Sequence, residues 1–351
     1  MHMSDALLSA EIGAGFWLAS GTAIAVSARK LQATQQEAAV PMMGVMGAFI
    51  FAAQMINFTI PGTGSSGHLA GGMLISILLG SHAAFLGMAS VLVVQAFFFA
   101  DGGLLALGAN IFNMGVIPCY LVFPLIFRPF AGASSATSLR WRMMVFCSAI
   151  LAVQLGALGV VLETRLSGIA ELPLTAFLLA MQPIHLAIGV VEGLVTVTVL
   201  QFLRQARPNG EKIASFAPTG NGTLRPRMLM AVGAVALLTG VVVSWFASTH
   251  PDGLEWSIAR LTGESELGKP ADGAHQTLAQ LQERIAPMPD YAFKKMDGQL
   301  GRGDAPWGTP DAGKSLAGLV GGLLTLVLLL GVGWMLRRRS GTPTPPSSSM
   351  S

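Results

Sequence analysis

The residues best equipped for chemistry are Met1-His2-Met3. A free amine on Met1, the amide nitrogen joining Met1 to His2 and the His2 imidazole can close two chelate rings around one cation, which sets three nitrogens in a plane. A fourth nitrogen would complete a square. The best-placed candidate is His68, at the end of Gly62-Thr63-Gly64-Ser65-Ser66-Gly67-His68. Square-planar nitrogen ligation suits Ni(II) or Cu(II), and Co(II) can be forced into it, whereas Mg and Ca prefer oxygen. The bland account stands beside this one, with His2 a chance residue and His68 a structural histidine.

Other polar groups sit where polarity is costly. Gln54 and Asn57 close the second apolar run, Asp101 heads a Gly102-Gly103 turn, Asn110 and Asn113 are three apart, and His185 and Glu192 lie two turns apart inside a long apolar stretch. Amides and ionisable groups in such segments either bond a neighbouring helix or line a functional pocket. Gly62–Gly67 has the glycine spacing of a phosphate-binding loop, but His68 stands where that motif needs Lys, so the ATP-binding reading fails. The loop reads instead as a re-entrant segment delivering His68 inward, with glycine and serine permitting irregular backbone at membrane depth. Cys119 and Cys147 lie in apolar runs and read as packing residues. An alternative from another class is an integral membrane haem-binding electron-transfer protein using His68, His82 and His185. The chain has no His-Glu-x-x-His pair for an intramembrane metalloprotease.

These residues need a membrane scaffold. Of 351 residues 52% are hydrophobic and 11% charged, against roughly 25% charged in globular domains. Apolar runs cover 6–28, 41–58, 83–100, 104–127, 143–162, 173–203, 228–246 and 316–336, with a shorter one over 69–80. A span needs roughly 20 residues, so the expectation is nine spans with 69–80 the least regular. Basic clusters (Arg29 and Lys30; Arg128, Arg140 and Arg142; Arg204, Arg207, Lys212, Arg225 and Arg227; Arg337 to Arg339) then fall on one side. That side is cytoplasmic, which sets the N-terminus outside and the C-terminus inside. The net charge of +3 thus reflects topology and not nucleic acid. The start lacks the basic region of a cleavable signal peptide, so Met1 is expected to be retained.

Four motifs in order resemble the CbiM/NikM family: Met1-His2-Met3 with Asp5 to Ser9, Ser65-Ser66-Gly67-His68-Leu69, Asp101 through Met114, and His185 through Gly193. The family comprises substrate-capture subunits of energy-coupling-factor ABC transporters for cobalt and nickel. The resemblance covers roughly residues 1–205. It implies an all-α integral membrane protein, a bundle of about seven helices, in which Met1, His2 and His68 hold the transported Ni(II) or Co(II). Gln54, Asn57, Ser66, Asp101, Asn110, Asn113, His185 and Glu192 would form an outer shell or pathway. Asp5-Ala6-Leu7 replaces the family's acidic-Gly-Phe stretch, a departure that leaves the ligands alone.

Pro251-Asp252-Gly253-Leu254-Glu255 resembles the signature of the family's small CbiN/NikN-type accessory subunit, here fused as a two-helix unit over 227–339 with an outer domain at 248–314. Pro287-Met288-Pro289-Asp290-Tyr291 resembles a later part of that subunit. His250 and His275 there read as surface histidines. Residues 206–226 are a plausible cytoplasmic linker and 340–351 a disordered tail. The chain carries no complete ATPase motif, so the resemblance implies a separate transmembrane coupling subunit and cytoplasmic ATPase subunits. No permanent cofactor and no enzymatic activity are expected.

Overall fold

The computed structural model describes residues 2–33, 40–131, 138–205, 226–265, 267–268, 273–293 and 308–339. Met1, the expected linker up to residue 225 with its Arg207, Lys212 and Arg225, and the expected tail lie outside them. Helices dominate: α1 (Ala10–Ala33), α2 (Val40–Gln54), α3 (Gly72–Leu79), α4 (Ser81–Phe99), α5 (Leu107–Ala131), α6 (Leu139–Ser167), α7 (Leu174–Gln205), α8 (Pro226–Val241), α9 (Gly253–Thr262), α10 (Gly273–Ile285) and α11 (Ala312–Arg339). Among the described residues five helices are long and apolar enough to cross a membrane, namely α4, α5, α6, α7 and Ala312–Leu336 of α11. The protein is therefore a multi-pass membrane protein built of helices.

The expected span at 69–80 contains only eight residues of helix, α3, about 12 Å at 1.5 Å per residue. That is under half the hydrocarbon thickness of about 30 Å. The segment nevertheless joins opposite ends of the bundle. His82, near the start of α4, bonds Tyr120 of α5, which in turn bonds Ser27 of α1. Asp101, at the other end of α4, meets His2. Residues 68–71 precede α3 as irregular chain, and Gly72 lets it start tightly on α5. A Cβ there would lie 2.6 Å from Pro118 Cγ and 3.1 Å from the Met114 carbonyl. Pro118 has no N–H to offer that carbonyl four residues back, and α5 is wound as a π-helix over Phe112–Phe127.

The serine and glycine loop is a β-hairpin and not a plain re-entrant coil. β1 (Phe58–Ile60) pairs antiparallel with β2 (Ser65–Gly67), with Thr59 opposite Ser66. Gly62 and Gly64 hold φ of 77° and 72° at its tip, a left-handed region that favours glycine.

The accessory helices do not stand apart. α2 packs against both α8 and α11: a Cβ on Gly47 would lie 2.5 Å from Leu329 Cδ1, and one on Gly321 1.9 Å from the Phe51 ring. Small residues at these positions let the backbones approach, the usual device for helix association in lipid. One apolar core runs from Met3, Leu7 and Leu8 through the bundle to Leu254, Ile258 and Met288 of the outer domain. That domain is too small and polar to form a large core alone, and it uses the core of the bundle.

Candidate metal centre

A chain of amides sets the state of His2. Gln54, the last residue of α2, donates its Nε2 to the Ala70 carbonyl at 2.8 Å. A carbonyl only accepts, so Gln54 must turn its Oε1 to Gln95, whose Nε2 donates at 2.8 Å. Gln95 Oε1 then faces His2 Nε2 at 3.2 Å and makes that nitrogen the donor. The lone pair is left on Nδ1, the atom a chelate with the preceding amide uses. Nδ1 lies 3.3 Å from Asp101 Oδ1, so a lone pair faces a carboxylate and the gap suits a positive charge. Burial lowers the His2 pKa despite the opposing pull of Asp101.

His68 reaches the same state by another route. Its Nδ1 lies 3.2 Å from the Leu69 carbonyl and is the donor; its Nε2 is buried without a partner. Burial pushes the imidazole down to about 3, so the ring is neutral and its lone pair free. The rings of His2 and His68 stack with centroids 5.0 Å apart and planes at 28°. Their exposures of 6% and 8% exclude bulk water from the pair. Among the described residues no three His, Cys, Asp or Glu side chains cluster as metal ligands. A four-coordinate nitrogen site here must draw on main-chain nitrogens, as the Met1-His2 chelate would.

Neighbouring elements brace both histidines. Met3 N donates to Asn110 Oδ1 at 2.8 Å and Asn110 Nδ2 donates to the Met3 carbonyl at 3.2 Å, so one α5 amide clamps the residue after His2. Asp5 accepts from Ala106 N at 3.0 Å, and Gly103 has no room for a Cβ beside that carboxylate. Glu192 of α7 accepts from Ala70 N at 2.9 Å and Gly71 N at 2.8 Å, which fixes the chain just after His68. Gly71 holds φ +75°, and a Cβ on it would lie 2.4 Å from Ile50 Cδ1.

Two expected outer-shell residues sit elsewhere. Asn113 pairs with Glu163 of α6 at 2.7 Å, at the start of the π-helical stretch of α5. With Glu192 it lines a narrow cavity under the loop. Asn57 contributes its carbonyl, which accepts from Ser248 N at 2.7 Å. His185 is fully buried; its Nδ1 donates to the Met181 carbonyl at 2.8 Å and its Nε2 has no partner.

The outer domain covers this pocket. Ser66 N and Oγ donate to the Pro251 and His250 carbonyls, both at 2.8 Å, and Trp256 Nε1 donates to the Thr63 carbonyl at 2.9 Å. Asp252 caps α9 by accepting from Leu254 N and Glu255 N, while Glu255 accepts from Asp252 N. This is a capping box. Burial opposes ionisation of Asp252, yet the hydrogen bond from Glu255 N helps hold its carboxyl below the usual range. A Cβ on Gly253 would meet His185, Ile188 and Ile184 at 3.0, 3.1 and 3.3 Å.

A second contact comes from Tyr291, whose hydroxyl donates to Asp101 Oδ2 and whose ring stacks on Phe99 at 4.9 Å. Burial first, and then the Asp101 charge, raise the Tyr291 phenol well above its ordinary value, so it stays a donor. His275, expected at the surface, is 1% exposed, and its Nε2 donates to the Asp5 and Leu8 carbonyls. His250 is exposed as expected.

Gln95, Asp5, Asp252, Tyr291 and His275 were not singled out from the sequence as site residues. Gln95 carried a signal, since it lies inside the apolar run 83–100 and an amide at that depth needs a partner.

Comparison with known proteins fits this architecture. Residues 2–210 match the CbiM family, described as the cobalt uptake substrate-specific transmembrane region, and residues 226–338 match the PDGLE domain. A protein of Archaeoglobus fulgidus named for fused nickel transport, NikMN, is 30% identical over 344 residues, 97% of this chain and all of that one. The fused nickel transport protein NikMN of Rhodobacter capsulatus is 29% identical over 83% of this chain and 88% of its own. The cobalt transport protein CbiM of Sorangium cellulosum is 30% identical over 60% of this chain and 93% of its own. A crystal structure of a truncated transition metal transporter superposes with a TM-score of 0.52 at 28% identity, covering 59% of this chain and all of the other. The chain belongs to the CbiM family of cobalt and nickel transport membrane proteins and carries a PDGLE domain fused behind the family region.

Proposed function

We propose that this chain is the substrate-capture component of an energy-coupling-factor ABC transporter and takes up Ni(II) or Co(II) from the outer face. The ion is held by the Met1 amine, the amide nitrogen and Nδ1 of His2, and Nε2 of His68. The observation that carries this reading is the buried stack of His2 on His68, each ring fixed by a hydrogen bond that leaves one lone pair for a cation. Asp101 offsets charge beside His2, and Glu192, Asn110 and the Gln54–Gln95 pair hold the ligands in place. The basic clusters support a cytoplasmic C-terminus. Energy comes from cytoplasmic ATPase subunits acting through a transmembrane coupling subunit. The outer domain steadies the metal loop, and unchanged uptake after deletion of 248–314 would remove that role. The haem alternative is weakened by the position of His82, beyond α3 from His68 and bonded to Tyr120.

The test is metal content and competitive Ni(II)/Co(II) binding of purified protein beside His2→Ala and a variant with one residue inserted before Met1. Both changes should abolish one-to-one binding, and the preferred ion names the substrate. Binding that survives both removes the terminal chelate from the account.

The pH dependence follows from the same groups. Ligation needs a neutral amine and a deprotonated amide, whereas burial already keeps both imidazoles neutral, His68 down to about 3. Affinity should therefore fall as pH drops below the ordinary amine range of about 8, without a further step at the ordinary histidine value of about 6.5. Competition titrations across that window check this, and a distinct step at the histidine value counts against buried neutral ligands.

A further inference from the structure

The outer domain does more than cover the pocket. Tyr291 enters it through a turn in which Asp290 and Tyr291, neither of them glycine, hold φ of 51° and 58°. Left-handed backbone at two successive side-chain-bearing residues persists only when surrounding contacts over-determine it, and it marks places where a side chain is being aimed. The surrounding contacts are present. Met288 N donates to the Phe98 carbonyl at the end of α4, and the Tyr291 ring lies on Phe99 and edge-on to Phe51. The hydroxyl so delivered donates to Asp101 Oδ2, while Asp101 Oδ1 is the atom against His2 Nδ1.

We infer that Tyr291 is a positioning residue of the metal centre: through its hydroxyl the fused domain holds the Asp101 carboxylate beside the place a cation on His2 Nδ1 would take, and so sets affinity for the divalent cation. The proposal rests on the His2–His68 site proposed above. A carboxylate bonded through one oxygen has the other fixed in direction, and groups held just outside a metal's ligands commonly change its affinity by about 10- to 100-fold. The bond also gives the accessory part of the chain a side-chain link to that centre, besides its backbone contacts at Ser66.

The experiment is Ni(II) binding by the full-length purified protein, read as affinity and as the visible absorption of bound Ni(II). Tyr291→Phe keeps the stack on Phe99 and removes only the hydroxyl. It should weaken Ni(II) by about 10- to 100-fold and shift the absorption band. Asp101→Ala should do the same, and the losses in the Asp101→Ala/Tyr291→Phe pair should be less than additive, the remainder passing through the hydroxyl's other partner, Gln95. Phe99→Leu removes the stack and keeps the hydroxyl; it should lower thermal stability and leave the band in place. Wild-type affinity and absorption in Tyr291→Phe, or additive losses in the double variant, overturn the proposal. If Tyr291→Phe does not accumulate, unchanged affinity in Asp101→Ala overturns it equally. Failure of the site itself is distinct, because His2→Ala would then bind Ni(II) normally.

Discussion

Two Pro-Asp turns of the PDGLE domain flank the His2–His68 pocket, and they work in opposite ways. Pro251-Asp252-Gly253 is fixed by its own neighbours: Asp252 and Glu255 close a capping box on α9, and the turn presents main-chain carbonyls to Ser66. Pro289-Asp290-Tyr291 has left-handed backbone at Asp290 and Tyr291, is held by α4, and presents a side chain to Asp101. The first turn is pre-organised and supplies docking. The second depends on docking for its own shape, so its hydroxyl reaches Asp101 only when the domain is seated. A locally stable motif can thus anchor a strained one, and the strained one touches the group beside the ligand.

The sharpest way to break the anchor is at Gly253. Three side chains, His185, Ile188 and Ile184, already stand at 3.0–3.3 Å from where a Cβ would be. Gly253→Val should therefore lift the turn off α7 and destabilise the docked domain by about 3 kcal/mol, the upper range for overpacking a filled site. Limited proteolysis of the 248–314 region, compared with wild type, reads this directly. Equal resistance would mean that the turn does not seat the domain.

A smaller effect is expected at Asp252. Asp252→Ala removes both cap bonds to Leu254 N and Glu255 N and should cost about 1 kcal/mol. Asp252→Asn keeps a capping oxygen and should recover most of that loss in thermal unfolding. The same pair separates docking from charge, because Asp252 acts electrostatically on His68. Asp252→Asn should still weaken Ni(II) binding while keeping the fold.

Much of this was legible in the sequence, for physical reasons that differ by region. Long apolar runs report membrane helices directly, and their basic ends suggest a topology. His2 and His68 could be paired because square nitrogen ligation needs few residues at special positions, and the chain offers them. The short segment 69–80 was harder, since eight residues of helix and four of irregular chain have no periodic signature. The partner of Asn113, Glu163 of α6, could not be read from the spacing of Asn113 to Asn110, since Asn113 and Glu163 lie 50 residues apart in sequence. His275 and Tyr291 were missed because their partners, the Asp5 and Leu8 carbonyls and Asp101, lie at least 190 residues away in sequence. Local composition around a polar stretch cannot show which distant surface will bury it.

The gentlest test acts on the strained turn alone. Asp290 holds φ 51° and ψ 34°, a conformation that glycine adopts without a Cβ penalty and that costs other L-residues roughly 1–2 kcal/mol. Asp is among the more tolerant residues there, and glycine also gives the unfolded chain more freedom. The two backbone terms nearly offset, so a loss of stability in Asp290→Gly reads the interactions of the Asp290 side chain itself. If the turn serves only to aim Tyr291, Ni(II) affinity should stay at wild type in Asp290→Gly, because the backbone path is preserved. Asp290→Pro, which cannot take a positive φ, should lose affinity as Tyr291→Phe does while leaving the Pro251 turn seated. Loss of both contacts together in Asp290→Pro would show instead that the two turns dock as one unit, and the division of labour between anchor and aim would have to be given up.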